Sequence, residues 1–331
     1  MRIVTLEEHF IFPDLSAQID TDITVKRGWP APDSPQAASI PQAALSDLGP
    51  KRLADMDVSG ISVQVLSLAG PGADLLDPQR GVKLARQFND RLGEFVEQHP
   101  DRYAGFAHLP MTAPEAAADE LERTVRDKKF KGALINGITD GLFLDYPSYA
   151  PLLARAEALD VPVYIHPNLP PVEVRKAYYD GLPLDTGFAL SRAGWGWHSE
   201  VAIHVLRMVL AGTFDRHPRL KVIIGHMGEG LPAMMDRCDA VFSGQTQKYL
   251  LRSVSQTILD QVWITTSGFF SMTPLTAAMM KFPVDRILFS VDYPFSKNAA
   301  GRAFLDSLPV SESDRRKIAH ENADALLKLE A

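Results

Sequence analysis

The residues of this chain that could do chemistry gather at the ends of short apolar runs. The amino-terminal segment MRIVTLEEHF puts Glu7, Glu8 and His9 at the end of what otherwise reads as a buried strand. Further along, His166 ends VYIHP, His226 stands in IIGHMGEG, and Asp292 lies near the end of LFSVDYPF. Residues i and i+2 of a strand share a side, so Glu7 and His9 face together while Glu8 faces the other way, toward the helical layer. Burying Glu7 and Asp292 unpaired beside imidazoles is expensive, and a divalent cation resolves the whole cluster. Glu7, His9, His166 and Asp292 are nitrogen and oxygen ligands suited to zinc or manganese. Such a set leaves coordination positions for water and substrate, as a catalytic metal requires. His226 is a further ligand or a free acid–base residue. Glu229, three residues on, either fixes the tautomer of His226 or complements the N-terminus of the next helix.

Five such residues meet only if a fold brings several strand ends to one place. Eight β-branched or apolar runs recur with helical stretches between them: RIVTLEEH, ISVQVLSL, RYAGFAHL, KGALINGI, VPVYIHP, KVIIGHM, VWITTSG and RILFSVDYP. That alternation predicts an α/β fold, a closed parallel (β/α)8 barrel with its active site at the C-terminal ends of the strands. The chain reads as one domain, 1–331. Two insertions break the rhythm. Residues 14–45, after strand 1, include GWPAPDSPQAASIPQ and are too long for an ordinary connection; they form either a loose surface loop or a lid over the barrel mouth. After strand 5, a second insertion carries Tyr178, Tyr179, Phe188, Trp195 and Trp197, which suit a pocket wall or plain packing against the barrel.

Composition removes several classes of function. Apolar residues make up 46% and charged residues 23%, and no apolar run is long enough to span a membrane. A net charge of −7 and a pI near 5.7 give no field for a phosphate backbone, so nucleic acid is not an expected partner. The single cysteine, Cys238, can form neither an internal disulfide nor a thiolate metal cage. Glu7, Glu8 and His9 interrupt any leader-like start, so a cytoplasmic location is expected.

LEEHF, GALINGITD, YIHP, GHMGEGLP and RILFSVDYPF, in that order, resemble the amidohydrolase superfamily over essentially the whole chain. The likeness is to its non-hydrolytic, decarboxylating branch, nearest the γ-resorcylate (2,6-dihydroxybenzoate) decarboxylases. The Glu-x-His start is its most specific part, because hydrolytic members usually open with His-x-His. The resemblance implies a single divalent ion, zinc or manganese, on Glu7, His9, His166 and Asp292. It implies catalytic roles for Asp292, His226 and Glu229, with Asn136, Ala69 and His226 near a small aromatic acid substrate. It further implies a homodimer or homotetramer. SVDYPF departs from the family's more usual Thr-Asp-Trp-Pro-Phe at Val291 and Tyr293, beside the pocket.

The implied reaction is loss of carbon dioxide from a hydroxybenzoate, leaving a phenol, and it is reversible in principle. Two other readings use the same residues. A metal-dependent hydrolase would open a lactone or amide with a metal-activated water. A non-enzymatic binding protein would tolerate a degraded ligand set, whereas every position here is intact.

Overall fold

The computed structural model describes residues 1–329; residues 330 and 331 of the expected domain lie outside the described residues. All eight runs form strands: β1 Val4–Phe10, β2 Val63–Leu68, β3 Tyr103–Gly105, β4 Ala133–Asn136, β5 Val163–His166, β6 Val222–Ile224, β7 Val262–Thr265 and β8 Ile287–Leu288. The strands pair in parallel as β1-β2-β3 and β4-β5-β6-β7-β8. Parallel bridges from Ala107 to Ala133 and from Glu8 to Tyr293 join the two sheets at both seams, so the barrel closes. Alternate residues of the strands, among them Val4, Leu6, Val65, Phe106, Leu134, Tyr164, Ile223 and Leu288, fill its interior. Ala323, Leu326 and Leu327 of the helix Asn322–Leu327 join that interior cluster and plug the end opposite the functional face.

β1 does not alternate cleanly. Val4 and Leu6 point into the barrel, so strict alternation would turn Glu7 and His9 outward. The pairing of β1 with β2 slips between Thr5 and Glu8, an extra residue that resets the phase. Glu7 and His9 therefore follow Leu6 inward, and Glu8 turns out. A bulge leaves two successive amides on one side, and Ser290 Oγ accepts both, from Leu6 N at 3.0 Å and Glu7 N at 2.6 Å. The Glu8 carboxylate accepts from the amides of Val291 at 3.0 Å and Tyr293 at 3.2 Å, tying β1 to the segment after β8. Burial lifts its carboxyl to about 8, against the lowering effect of those hydrogen bonds and of Arg52.

The first insertion folds into short helices, Pro13–Ser16, Thr21–Arg27, Pro35–Ala38 and Gln42–Leu45. Trp29 lies flush on Gly70, where an added Cβ would meet the indole at 3.0 Å. The second insertion carries the helix Val172–Tyr178 and runs into Gly196–Leu210. The two touch over the barrel mouth: Arg27 donates to the carbonyls of Leu169 and Pro170, and Gln36 Nε2 donates to Asp185 Oδ2 at 2.5 Å. No described helix is long and apolar enough to cross a membrane.

Candidate metal centre and active site

Three strand ends, of β1, β5 and β8, bring the expected quartet to one place. His9 stands one residue before the end of β1 and His166 ends β5, with their Nε2 atoms turned to the centre. Glu7 Oε1 lies 3.4 Å from His166 Nε2, and His9 Nε2 lies 3.4 Å from Asp292 Oδ1. Ligand atoms of Glu7, His9 and His166 all fall within 4.8 Å of one another. Glu7 Oε1 and His9 Nε2 are buried with no hydrogen-bond partner among the described residues, which is costly unless something positive fills the space between them. Burial raises the Glu7 carboxyl above its ordinary range, as expected of an acid built to face a cation. These residues fit a divalent metal.

Their supports explain why the donors are aimed so. Tyr164 and Ser267 hydroxyls donate to Glu7 Oε2, with Thr265 Oγ1 beside them, which leaves Oε1 for the centre. Asn136 Oδ1 lies 3.0 Å from His166 Nδ1, and Ser67 Oγ lies 3.1 Å from His9 Nδ1. A proton held at each Nδ1 exposes the Nε2 lone pair inward. Burial, aided by neighbouring His9, holds His166 well below its usual value, so its ring is neutral and able to ligate. Gly225 is the inward position of β6 at this level: a Cβ there would meet Glu7 Oε2 at 2.6 Å.

His226 follows β6 on a left-handed turn, with φ of 49° at His226, 55° at Met227 and 55° at Glu229. The turn puts His226 Nδ1 2.8 Å from Glu229 Oε1, so the carboxylate orients the ring. His226 Nε2 then faces Glu7 Oε1 at 3.6 Å and Asp292 Oδ2 at 3.9 Å. The second Glu229 oxygen meets His198 Nδ1 at 2.5 Å, and His198 Nε2 donates to the Ala193 carbonyl at 3.0 Å. Burial opposes charge on His226, but Glu229 and Glu7 outweigh it and raise its pKa well above the usual value. Glu229 itself is held at about 2: burial pushes it up, and His226 and His198 more than reverse that. Asp292 is likewise at about 2: burial pushes it up, and the neighbouring His226 and His9 rings, 3.9 Å and 3.4 Å away, more than reverse that.

A cavity of about 430 Å³ opens over the quartet. His9, His166, His226 and Asp292 form its polar floor; Ala69, Asn136, Trp29, Ile40, Trp197 and Phe295 are among its walls. Asn136 therefore does two things, since its side-chain oxygen is committed to His166 while its amide nitrogen has no partner among the described residues. Of the aromatics in the second insertion, Trp197 reaches this cavity, whereas Tyr178 and Trp195 are exposed at 73% and 62%. Tyr164, Ser67, Thr265, Ser267 and His198 were not anticipated. For Tyr164 and Ser267 a signal existed: each stands two residues from a polar strand-end partner on the same face, Tyr164 from His166 and Ser267 from Thr265.

Comparison with known proteins points the same way. The family described as Amidohydrolase matches residues 13–329. The chain is 39% identical over 298 residues to Decarboxylase orsB of Emericella nidulans, covering 86% of this chain and 87% of that protein. It is 38% identical over 338 residues to Gamma-resorcylate decarboxylase of a Rhizobium species, covering 99% and 98%. The crystal structure of dihydroxybenzoic acid decarboxylase from Polaromonas, with bound manganese and the inhibitor 2-nitroresorcinol, superposes with a TM-score of 0.86 at 36% identity, over 99% of this chain and 98% of that one.

Proposed function

The chain belongs to the amidohydrolase family, and from that premise we propose that it is a metal-dependent, non-oxidative decarboxylase of hydroxybenzoates, releasing carbon dioxide and a phenol. The observation that carries this reading is the pair Glu7 Oε1 and His9 Nε2, without hydrogen-bond partners among the described residues, at and just beneath the floor of a cavity of about 430 Å³. Held by Glu7, His9, His166 and Asp292, one divalent ion, manganese or zinc, would supply the positive charge that binds and orients the oxygen groups of the substrate.

Direct loss of carbon dioxide would leave an electron pair in the ring plane, unable to enter the π system. A proton delivered first to the carboxyl-bearing carbon gives a ketone-like, dearomatised ring. Breaking the carbon–carbon bond then returns its electron pair to the ring as carbon dioxide departs. The protein must therefore keep a proton near that carbon. His226, with its raised pKa, is the store, and Asp292 Oδ2, 3.9 Å from His226 Nε2, is the acceptor that hands the proton on. Glu229 keeps His226 charged and oriented, and His198 holds Glu229 from the other side. Trp29, Trp197 and Phe295 keep water from the ring, while the free amide of Asn136 is placed to donate to a substrate oxygen. A homo-oligomer, a dimer or tetramer, is part of the same proposal, and sedimentation would measure it.

The test is product analysis of manganese-loaded protein incubated with a panel of hydroxybenzoates and, separately, aryl lactones. Carbon dioxide and an equal amount of phenol are expected from at least one hydroxybenzoate. Lactone opening with no carbon dioxide from any acid would replace this reading by hydrolysis.

A further inference from the structure

Arg192 sits where the second insertion meets the cavity, and among the described residues no group answers its charge. Two aromatic rings lie against its guanidinium, Phe188 at 5.0 Å and Trp197 at 4.7 Å from ring centroid to guanidinium carbon. Its Nε is buried without an acceptor. Burial alone pulls its pKa down, with no carboxylate near enough to push it back up. The other half-buried arginines of the mouth are spent differently: Arg27 donates to the carbonyls of Leu169 and Pro170, and Arg175 to that of Arg27. Arg192 lines both the cavity over the quartet and an outer vestibule between the two insertions.

Rings contact a guanidinium through their faces and leave its in-plane N–H fork unspent. The group that fits the fork is a carboxylate, accepting two parallel hydrogen bonds. On the decarboxylase reading, the carboxylate that leaves would be held over Glu7, His9, His166 and Asp292, at the floor of the same cavity that Arg192 lines. We propose that Arg192 binds a second carboxylate carried by the substrate, so that the preferred substrates are hydroxylated aromatic dicarboxylic acids. Which carboxylate departs rests on the decarboxylase reading; binding at Arg192 does not.

A matched pair tests this: 2-hydroxybenzoate, and 4-hydroxyisophthalate, which keeps the same hydroxyl–carboxylate edge and adds a remote carboxylate. Affinities of manganese-loaded protein for both are measured by calorimetry, and kcat/KM by carbon dioxide release, for native protein, Arg192→Met and Arg192→Lys. Native protein is expected to favour the dicarboxylate. Arg192→Met should lower the dicarboxylate-to-monocarboxylate affinity ratio by about 10- to 100-fold, the worth of a desolvated, charge-assisted pair. Arg192→Lys, which keeps the charge without the fork, should restore part of it. A ratio unchanged by Arg192→Met, or equal losses for both acids, overturns the proposal. Absence of carbon dioxide from either acid would instead count against the decarboxylase reading, with the calorimetric ratio still deciding Arg192.

Discussion

Gly225→Ala should empty the metal centre while leaving the barrel folded. Gly225 has φ −81° and ψ −168°, a conformation open to any residue, so the added methyl introduces no backbone strain. Its effect is steric. The new Cβ would lie 2.6 Å from Glu7 Oε2, a distance that real Cβ atoms essentially never show. Glu7 is fully buried and clamped through that oxygen by Tyr164 and Ser267, so it has nowhere easy to go. To reach even 3.0 Å the carboxylate must shift by about 0.4 Å, twice the roughly 0.2 Å within which metal–ligand distances hold. Affinity for manganese should fall by at least the ~10- to 100-fold typical of a disturbed ligand support. The assay is titration of stripped protein with manganese against a competing chelator, with thermal denaturation to verify folding. Native affinity in a folded Gly225→Ala protein would refute the claim that Glu7 is a ligand fixed in this position.

Three further outcomes follow from the same geometry. Asp292→Asn keeps an oxygen near the metal but removes the proton carrier, so kcat should fall by about 10²–10⁴ with the metal retained; near-native turnover in the loaded variant would show that another group protonates the ring. Glu229→Gln should lower kcat by about 10- to 100-fold at normal metal content. It also removes the first anion that raises His226, so the activity that needs protonated His226 should be lost at lower pH as pH rises, and an unshifted alkaline limb in the pH–rate profile would contradict this. Glu8, at about 8 in the folded protein, binds a proton there that an unfolded glutamate has released. Its contribution is therefore fully present below an unfolded value of about 4.3 and is lost as pH rises through about 8, with a slope of up to ~1.4 kcal/mol per unit. Denaturant titrations from about pH 5 to pH 8 should show a shallower decline for Glu8→Gln than for the native chain, and parallel declines would remove Glu8 as the cause.

The strands were legible because each is a short β-branched or apolar run, and the proposed ligands could be named because period two groups Glu7 with His9 and puts polar residues at strand ends. The same rule hid the bulge. Val4 and Leu6 have the wrong parity for an inward Glu7, and only the slip against β2, stabilised by Ser290 from the far end of the chain, reconciles them. The partners of Glu8 were unreadable for a similar reason: the shortest contacts come from the backbone amides of Val291 and Tyr293, which carry no side-chain signal, and the longer ones from Ser290 and Gln64, distant in the chain. Hydroxyls such as Ser67 and Thr265 are ordinary in strands and become informative only beside a ligand. His198 lies inside an insertion, where no periodicity ties it to Glu229. The aromatics of that insertion divided between cavity and solvent because the helix Gly196–Leu210 begins between them, with Trp197 in its first turn facing the cavity and Trp195 before it, exposed.

The central claim is that carbon dioxide release from a hydroxybenzoate depends on an ion held by Glu7, His9, His166 and Asp292. The most direct measurement strips the protein with a chelator, restores manganese in steps, and records bound ion per chain alongside carbon dioxide released from 2,6-dihydroxybenzoate or the best acid of the panel. Stripped protein should release none, and release should rise in proportion to bound ion, levelling at one per chain. Undiminished release from the stripped protein, or a fully loaded protein that releases none from any hydroxybenzoate, would contradict it.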